Sequence, residues 1–455
     1  MRLILRGFRQ KQDLLIVLFL FVLSLIVYLS NGRRIESSDA VPASILPFLI
    51  VRQKTIYFDG FVEESRLFYH GKDPYSFFLH SLRGHSVSAF PIVLPVVLTP
   101  LYFFYNLSLE VRGIPFTFHD IRYLQSHLFF LKLSSSLITA FSGILLYVCL
   151  LRIWRNKRVA LLTTGIYLFG SNAWVINSQE LWQHGLENLL FYSLIFLSLR
   201  YFIEDPSHRL LPYTLMGGLL ALFILNRPGI FALSFPFFFT SLLLLSRGYV
   251  RSFVGFLMGF LLSGFPFFVY NHYFFGNFLL GSYAFTLDSI ATPKLTALAG
   301  MFFSPSKGFF IYSPVFLFSI IGIYLSFRSR KSLGRYFFLS FLPMSILYIL
   351  IVATLKHWTG SMSYGPRYFN DILPLLSVYL SFFVHRLLFQ KFPYRRFVAI
   401  LFSLTVVFSV FVQFLGAFHF SYQWDKYFDQ PGVSQEDLVW DWKNSQILFM
   451  FRNHD

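Results

Sequence analysis

Long apolar runs recur along the whole chain and are separated by short connectors rich in lysine and arginine. A typical run holds about 17–22 residues, the length that an α-helix needs to cross the roughly 30 Å hydrocarbon core of a bilayer. The pattern predicts an all-α polytopic integral membrane protein with about eleven transmembrane helices. We place them at about 13–31, 128–151, 159–176, 187–203, 211–226, 229–246, 252–271, 309–327, 336–355, 371–385 and 397–417.

Composition agrees with this class. Apolar residues make up 56% of the 455 residues and charged residues only 13%, whereas soluble domains carry about a quarter charged residues. The net charge of +17 is concentrated in the connectors, as the positive-inside rule requires of a membrane protein, so we expect no nucleic-acid partner. The single cysteine, Cys149, excludes an internal disulfide and a cysteine-based metal cluster.

One apolar segment, residues 91–105, is difficult to assign. It holds about 15 residues, which is short for a bilayer, and three prolines, which oppose a continuous helix. We therefore predict that it lies in the outer membrane interface without crossing. The inner connectors then hold 20 of the 38 lysines and arginines, against only three acidic residues, Asp13, Glu204 and Asp205.

This charge distribution predicts a cytoplasmic N-terminus and an extracytoplasmic C-terminus in a bacterial inner membrane. A single transmembrane domain would cover residues 1–417, with a long first extracytoplasmic loop at 32–127. Residues 418–455 would form an extracytoplasmic tail. Polar residues that could carry chemistry are concentrated in the predicted outer loops, which indicates a site on the outer face.

Several motifs in these loops resemble polytopic bacterial glycosyltransferases of the GT-C superfamily, distant relatives of the protein O-mannosyltransferases and the lipid A aminoarabinose transferase. The resemblance covers about residues 13–385. The motifs that carry it are SSDAVPASILPF from Ser37, FDGF from Phe58, GHSVSAFPI from Gly84, SQELWQHG from Ser178, NRP from Asn226, FSPSKGFFIYSP from Phe303 and WxGxxxYGPRY from Trp358.

The resemblance implies a GT-C-like fold whose long first loop contains juxtamembrane helices. It also implies an essential acidic residue shortly after the first helix, which corresponds to Asp39. Relatives often carry an Asp-Glu pair at this place, whereas Ala40 follows Asp39 here. A single carboxylate suffices for a general base, but metal coordination by an adjacent pair is less favoured. A divalent metal is possible but not indicated, and no cofactor is expected.

Glycosyl transfer from a polyprenyl-phosphate sugar needs a base for the acceptor and cations for the departing phosphate. Asp39 is the candidate catalytic base, and the alternative is a solvated loop carboxylate or a helix cap. The candidates for binding the donor phosphate or other parts of the substrate are Arg367, Lys307, His184, Arg227, Asp59, His272 and Tyr364.

Each of these candidates also has a structural interpretation. Arg367 could set the topology or pair with Asp371, and Lys307 could be an ordinary loop lysine beside a glycine. His184 could belong to an interfacial aromatic belt, and Arg227 could extend to the interface.

Two further candidates have local alternatives. Asp59 precedes a glycine, which is a turn signal, and His272 follows Tyr270 and Asn271, which are more plausible as packing and capping residues.

These observations predict a membrane glycosyltransferase, with inversion as the default stereochemistry. It would transfer a sugar from a polyprenyl-phosphate donor to an envelope glycan, lipid or protein on the extracytoplasmic face, in contact with membrane lipids. One alternative is an O-antigen polymerase or ligase, which would depend on arginine and histidine in a late loop. The other is a transporter or flippase of lipid-linked sugars, which would be expected to show broken helices, charges near the bilayer midplane and internal symmetry.

Overall fold

A computed structural model describes residues 11–33, 40–68, 78–115, 117, 120–204, 209–284, 294–328, 332–425 and 435–452. Within these ranges the protein is mostly helical, which confirms the predicted all-α membrane class. Eight of the described helices are long and apolar enough to cross a membrane, and four shorter apolar helices accompany them. The number of helices that cross stays a prediction.

The α-helices of the described residues are numbered here in chain order. They are α1 Lys11–Leu29, α2 Ala40–Phe48, α3 Asp59–Phe68, α4 Val93–Val111, α5 Ile121–Trp154, α6 Lys157–Phe169, α7 Gln183–Ser198, α8 Leu210–Asn226, α9 Phe235–Ser246, α10 Val250–Phe275, α11 Leu295–Phe303, α12 Phe309–Tyr312, α13 Leu317–Phe327, α14 Ser332–Leu339, α15 Phe341–Thr354, α16 Leu373–Phe389, α17 Arg395–His419, α18 Gln435–Trp440 and α19 Gln446–Arg452.

Shorter elements complete the described structure. Strands β1 (Leu79–Leu82) and β2 (His85–Ser88) form an antiparallel hairpin in which Leu79 pairs with Ser88. The remaining helical segments are of two kinds. They are the π-helical segments Leu49–Gln53, Ala173–Asn177 and Leu199–Glu204 and the 3₁₀ segments Pro228–Ser234, Pro314–Phe316 and Arg367–Asp371.

The prediction that prolines interrupt residues 91–105 is wrong, because α4 is one continuous helix of 19 residues. Pro91 precedes the helix, and Pro95 lies in its first turn, where a missing N–H is tolerated because the group has no partner within the helix. Only Pro100 lies inside the helix.

Two predicted helices are interrupted. The segment predicted at 159–176 ends as α6 at Phe169, and a π-helical segment follows after Gly170. The segment predicted at 309–327 divides into α12, a 3₁₀ turn and α13. Ser313 is extended there (φ −141°), as expected for the residue before Pro314.

The end of α1 and the first part of α5 lie at the same end of the bundle. The Lys132 ammonium of α5 donates to the Asn31 side chain and to the Arg33 carbonyl oxygen, just after α1. If helices between these contacts cross the membrane, an even number of them must do so for both contacts to lie at this end. Residues 40–53 form a helix of about 21 Å, which is short for the hydrocarbon core, so a single crossing by α4 would leave an odd number. This geometry favours the predicted surface position of α4.

The opposite end of the bundle is rich in arginine and lysine. Lys157 forms an ion pair with Asp13 (2.9 Å), which joins the start of α6 to the start of α1. Arg152, near the end of α5, pairs with Glu204 (2.6 Å). We call this the basic end, and the end that contains Asn31 the site end.

Helices α8 and α10 approach each other unusually closely. A Cβ atom on Gly217 would collide with the Phe256 backbone oxygen, and one on Gly259 would collide with the Thr214 backbone oxygen. Such contact between backbones is typical of glycine-rich pairs of membrane helices.

A Cβ atom on Gly255 would meet the Leu210 backbone oxygen, and one on Gly264 would meet the Ala221 side chain, so α8 and α10 run in the same direction. Arg227 directly follows α8 and pairs with Asp371, away from the basic end, so both helices begin at the basic end.

Candidate functional site

Residues 178–182, between the second π-helical segment and α7, organise the site end, and we call them the central loop. The Gln179 side-chain oxygen accepts hydrogen bonds from Lys132 (3.0 Å) and Asn31 (2.7 Å). Trp182 lies against Arg367, with the guanidinium carbon 5.0 Å from the ring centroid. The central loop therefore connects the end of α1 with the loop that precedes α16.

A buried ion cluster lies beside the central loop and consists of His184, Arg227, Tyr348 and Asp371. Asp371 Oδ1 is 2.7 Å from His184 Nδ1, and Asp371 Oδ2 is 2.9 Å from Arg227 Nε. Arg227 Nη1 is also 3.0 Å from His184 Nε2. The Tyr348 hydroxyl donates to Asp371 Oδ2.

Four separate elements supply this cluster. His184 lies in the first turn of α7, Arg227 directly follows α8, Tyr348 lies in α15, and Asp371 ends a 3₁₀ turn. His184 and Asp371 are almost completely buried, with 1% and 0% of their side chains exposed. A buried charge needs a partner of opposite sign, so the mutual neutralisation of Arg227 and Asp371 permits burial and fixes four elements to one another.

A second group of charges surrounds a small pocket next to the ion cluster, and we call it the cation pocket. Lys307 and Arg367 both contribute to its wall. Its described lining is Met301, Lys307, Trp358, Thr359, Pro366, Arg367, Tyr368 and Phe369. The volume of the pocket is only about 10 Å³, room for about one water molecule. It therefore brings two cations together in a mainly apolar and aromatic wall, but the wall would have to widen to admit a phosphate group.

Each cation is held in place by its surroundings. The Arg367 guanidinium carbon lies 5.0 and 5.3 Å from the ring centroids of Trp182 and Tyr368, distances typical of cation–π contacts. The Lys307 ammonium donates to the backbone oxygens of Ser361 (3.1 Å) and Ser363. Both cations are therefore oriented before any ligand binds.

The pKa of Lys307 is lowered to about 8. Burial is the main cause, and the neighbouring Arg367 lowers the pKa further, while Asp425 opposes both effects. The ammonium is protonated below about pH 8, so the charge of the cation pocket depends on pH in the alkaline range.

The loop that carries Arg367 needs a glycine at position 360. Gly360 has φ +80°, a left-handed conformation that favours glycine. A Cβ atom there would also lie 2.9 Å from Arg367 Cγ. The spacing of the WxGxxxYGPRY motif therefore has a local reason, because the glycine permits the turn that brings Arg367 to Trp182.

The C-terminal tail folds back onto the cation pocket. The Trp424 ring centroid is 5.6 Å from the Lys307 ammonium, and Asp425 is buried beside it. Gln446 of α19 accepts a hydrogen bond from the Gly365 amide (2.9 Å) and donates to the Ser363 backbone oxygen (3.2 Å). The tail thus fixes the backbone that holds Lys307.

The structure brings four of the predicted site residues together, namely His184, Arg227, Lys307 and Arg367. Arg227 is neutralised in the ion cluster, whereas Lys307 and Arg367 line the cation pocket. Asp39 lies outside the described residues.

Three other predicted residues have local contacts. Asp59 Oδ1 accepts from the Ser86 amide (2.6 Å), and its Oδ2 is 2.8 Å from His85 Nδ1. Burial alone would raise the pKa of Asp59, but these two contacts outweigh it and lower the pKa. The exposed His272 ring stacks on Phe278, and the buried Tyr364 hydroxyl donates to the Val412 backbone oxygen (2.8 Å). Their roles in substrate binding stay predictions.

Sequence reasoning did not assign Lys132, Tyr348, Asp371 or Asp425 to the site. Lys132 had a usable signal, because a lysine within an apolar helix usually has a buried partner or faces a cavity. No local sequence signal pointed to Asp425 or Tyr348, since their roles depend on contacts with distant segments.

Within the ranges given above, no three His, Cys, Asp or Glu side chains are grouped so that they could hold a metal ion.

Comparison with known proteins gives no family assignment. A search of protein-family models found no match to the chain, and a search of curated proteins found no significant match. The geometry of the site therefore carries the functional argument.

Proposed function

We propose that the protein is a GT-C-like membrane glycosyltransferase with about eleven transmembrane helices. It transfers a sugar from a polyprenyl-phosphate donor to an envelope glycan, lipid or protein. The observation that supports this most strongly is the meeting of Lys307 and Arg367 at one small pocket, although 60 positions separate them in the chain. Both residues were selected from the sequence as ligands for a donor phosphate.

The proposed reaction is a direct displacement with inversion. The acceptor oxygen or nitrogen forms a bond to the anomeric carbon of the donor sugar, and its proton passes to the Asp39 carboxylate. The bond between the anomeric carbon and the phosphate oxygen breaks, and the polyprenyl phosphate leaves with the electron pair. Arg367 and Lys307 stabilise the charge that develops on this phosphate.

The chain that precedes residues 34–39 supports a role for Asp39 near the cation pocket. Lys132 binds the Arg33 carbonyl oxygen, and it also binds Gln179 of the central loop. Three residues later in that loop, Trp182 contacts Arg367. Three residues extend at most about 11 Å, so the segment that leads to Asp39 begins in the neighbourhood of the pocket.

The proposed site faces the extracytoplasmic side of the bacterial inner membrane. One observation and one functional argument support this orientation. The connectors with excess lysine and arginine, including Arg152 and Lys157, lie at the opposite end, and such connectors are cytoplasmic in most membrane proteins. An outer-leaflet position would also let the donor's lipid tail remain in the bilayer while its phosphate reaches the cation pocket.

The proposal is tested with purified protein in proteoliposomes that contain a panel of radiolabelled polyprenyl-phosphate monosaccharides. Wild-type protein should release polyprenyl phosphate from one of them in the presence of acceptor-containing envelope extract. Asp39→Asn should lose this activity, while the matched Glu36→Gln variant in the same segment should retain it.

Two results would replace the proposal with an alternative. Labelled donor that crosses the bilayer uncleaved would identify a transporter or flippase. Full activity in Asp39→Asn would favour a polymerase or ligase that depends on late-loop arginine and histidine.

A further inference from the structure

A second cavity lies at the basic end, far along the helices from the cation pocket. Its volume is about 570 Å³, within the usual range for a ligand site. Arg209 and Arg251 line it together with apolar side chains, among them Leu197, Leu211 and Leu215. The cavity therefore combines two cations with a mainly hydrocarbon wall.

The packing of α8 against α10 brings the two arginines together. Arg209 directly precedes α8, and Arg251 is the second residue of α10. Because Gly217 and Gly259 allow the two helices to touch through their backbones, their starts remain adjacent. Two parallel helices that begin side by side also direct their partial positive charges toward the same place.

Neither arginine is neutralised by a carboxylate within the part of the chain that the structure describes. This distinguishes them from Arg152 at the same end, which pairs with Glu204. The wall beside them is open to the surroundings, because Leu211 and Leu215 are 65% and 43% exposed. At the end of an apolar helix such as α8, which packs against the membrane-length helix α10, such leucines face acyl chains, and the arginines lie at the depth of lipid headgroups.

We infer that this cavity binds an anionic phospholipid of the leaflet at the basic end. The lipid phosphate lies between Arg209 and Arg251, and an acyl chain follows Leu211 and Leu215. Charge complementarity selects an anionic headgroup over a zwitterionic one, and the apolar wall selects an intact lipid over a water-soluble phosphate. This site is separate from the proposed donor site and does not depend on it.

The experiment is native mass spectrometry of the purified full chain, delipidated and then titrated with phosphatidylglycerol or phosphatidylcholine. Wild-type protein should retain one phosphatidylglycerol in preference to phosphatidylcholine. Arg209→Ala/Arg251→Ala should weaken phosphatidylglycerol retention about 30-fold, since each basic residue near a membrane surface contributes about fivefold. Arg209→Lys/Arg251→Lys should restore most of the retention.

The matched control is Arg158→Ala/Arg396→Ala. It removes two exposed arginines from the starts of α6 and α17 at the basic end, outside the cavity, and should retain phosphatidylglycerol as the wild type does. An equal loss in this control would show that general surface charge attracts the lipid and would overturn the inference. Unchanged retention in Arg209→Ala/Arg251→Ala would also overturn the inference. Displacement of the lipid by glycerol phosphate at equal concentration would overturn it too, because it would indicate a site for soluble phosphates.

Discussion

The ion cluster and the cation pocket lie side by side, but the surroundings of their cations differ. In the ion cluster, Arg227 contacts both the Asp371 carboxylate and His184, so its charge is compensated within the protein. In the cation pocket, Arg367 packs between aromatic rings and Lys307 is bound mainly by backbone oxygens. Asp425 also lies close enough to Lys307 to favour its charged form, so negative charge is present beside both groups of cations. The difference lies in the aromatic and backbone contacts of Arg367 and Lys307.

This difference separates a structural role from a role in binding. A compensated charge such as Arg227 stabilises the junction of α7, α8, α15 and the turn before α16. We propose that the cations of the cation pocket, which have mainly aromatic and backbone contacts, serve to bind a phosphate. Variants in the ion cluster should therefore change stability first, and variants in the cation pocket should change donor binding and transfer first.

The largest effect should come from the ion cluster. Asp371→Asn removes the compensating charge and leaves Arg227 buried, which should lower the free energy of unfolding by about 3–5 kcal/mol. Thermal unfolding in detergent measures this. Tyr348→Phe, which keeps the carboxylate, is the matched control and should cost about 1.5–3 kcal/mol, the usual contribution of a hydrogen bond to a charged group. Equal stability of Asp371→Asn and wild type would contradict the structural role.

The next effect concerns Arg367. Arg367→Ala should lower kcat/KM for transfer about 10²–10³-fold, the usual result of removing one donor that stabilises a developing negative charge. Thermal stability should change much less than in Asp371→Asn. Arg367→Lys should recover only part of the activity, because lysine cannot offer two parallel hydrogen bonds to a phosphate. Activity close to wild type in Arg367→Ala would remove this residue from the site.

The pH dependence of kcat/KM for transfer should reflect the ionisation of Lys307. Because the pKa of Lys307 in the free protein is about 8, kcat/KM should fall as pH rises through 8, by up to tenfold per pH unit if the ammonium is essential. Lys307→Arg should abolish this alkaline fall, since arginine stays protonated. If kcat/KM of Lys307→Arg still falls above pH 8 as in the wild type, the group that titrates is not Lys307.

The smallest change in stability and transfer activity is expected for a substitution at Tyr364. Its ring is buried and its hydroxyl donates to the Val412 backbone oxygen, so Tyr364→Phe should cost about 1 kcal/mol of stability. Transfer activity should stay within about twofold of wild type after the protein is corrected for folded fraction. A large loss of kcat without a loss of stability would instead support direct contact with the substrate.

The sequence predicted the class of fold and several residues that the structure brings together, and the reasons are identifiable; their roles stay predictions. Hydrophobic run length depends only on local composition, so the apolar helices were found, and the loop motifs identified Arg367, Lys307 and His184. The continuity of α4 was missed because three prolines were treated alike, although Pro95 lies in the first turn and costs little. The partners Tyr348 and Asp425 depend on contacts across the bundle, which no local pattern contains.

The most direct test of the central claim is equilibrium binding of a radiolabelled polyprenyl-phosphate sugar, compared between two variants. Asp39→Asn should bind the donor about as tightly as wild type but fail to transfer the sugar, because only the base is lost. Arg367→Ala/Lys307→Ala should bind it at least about 100-fold more weakly. Unchanged donor affinity in Arg367→Ala/Lys307→Ala would contradict the assignment of the cation pocket to the donor phosphate.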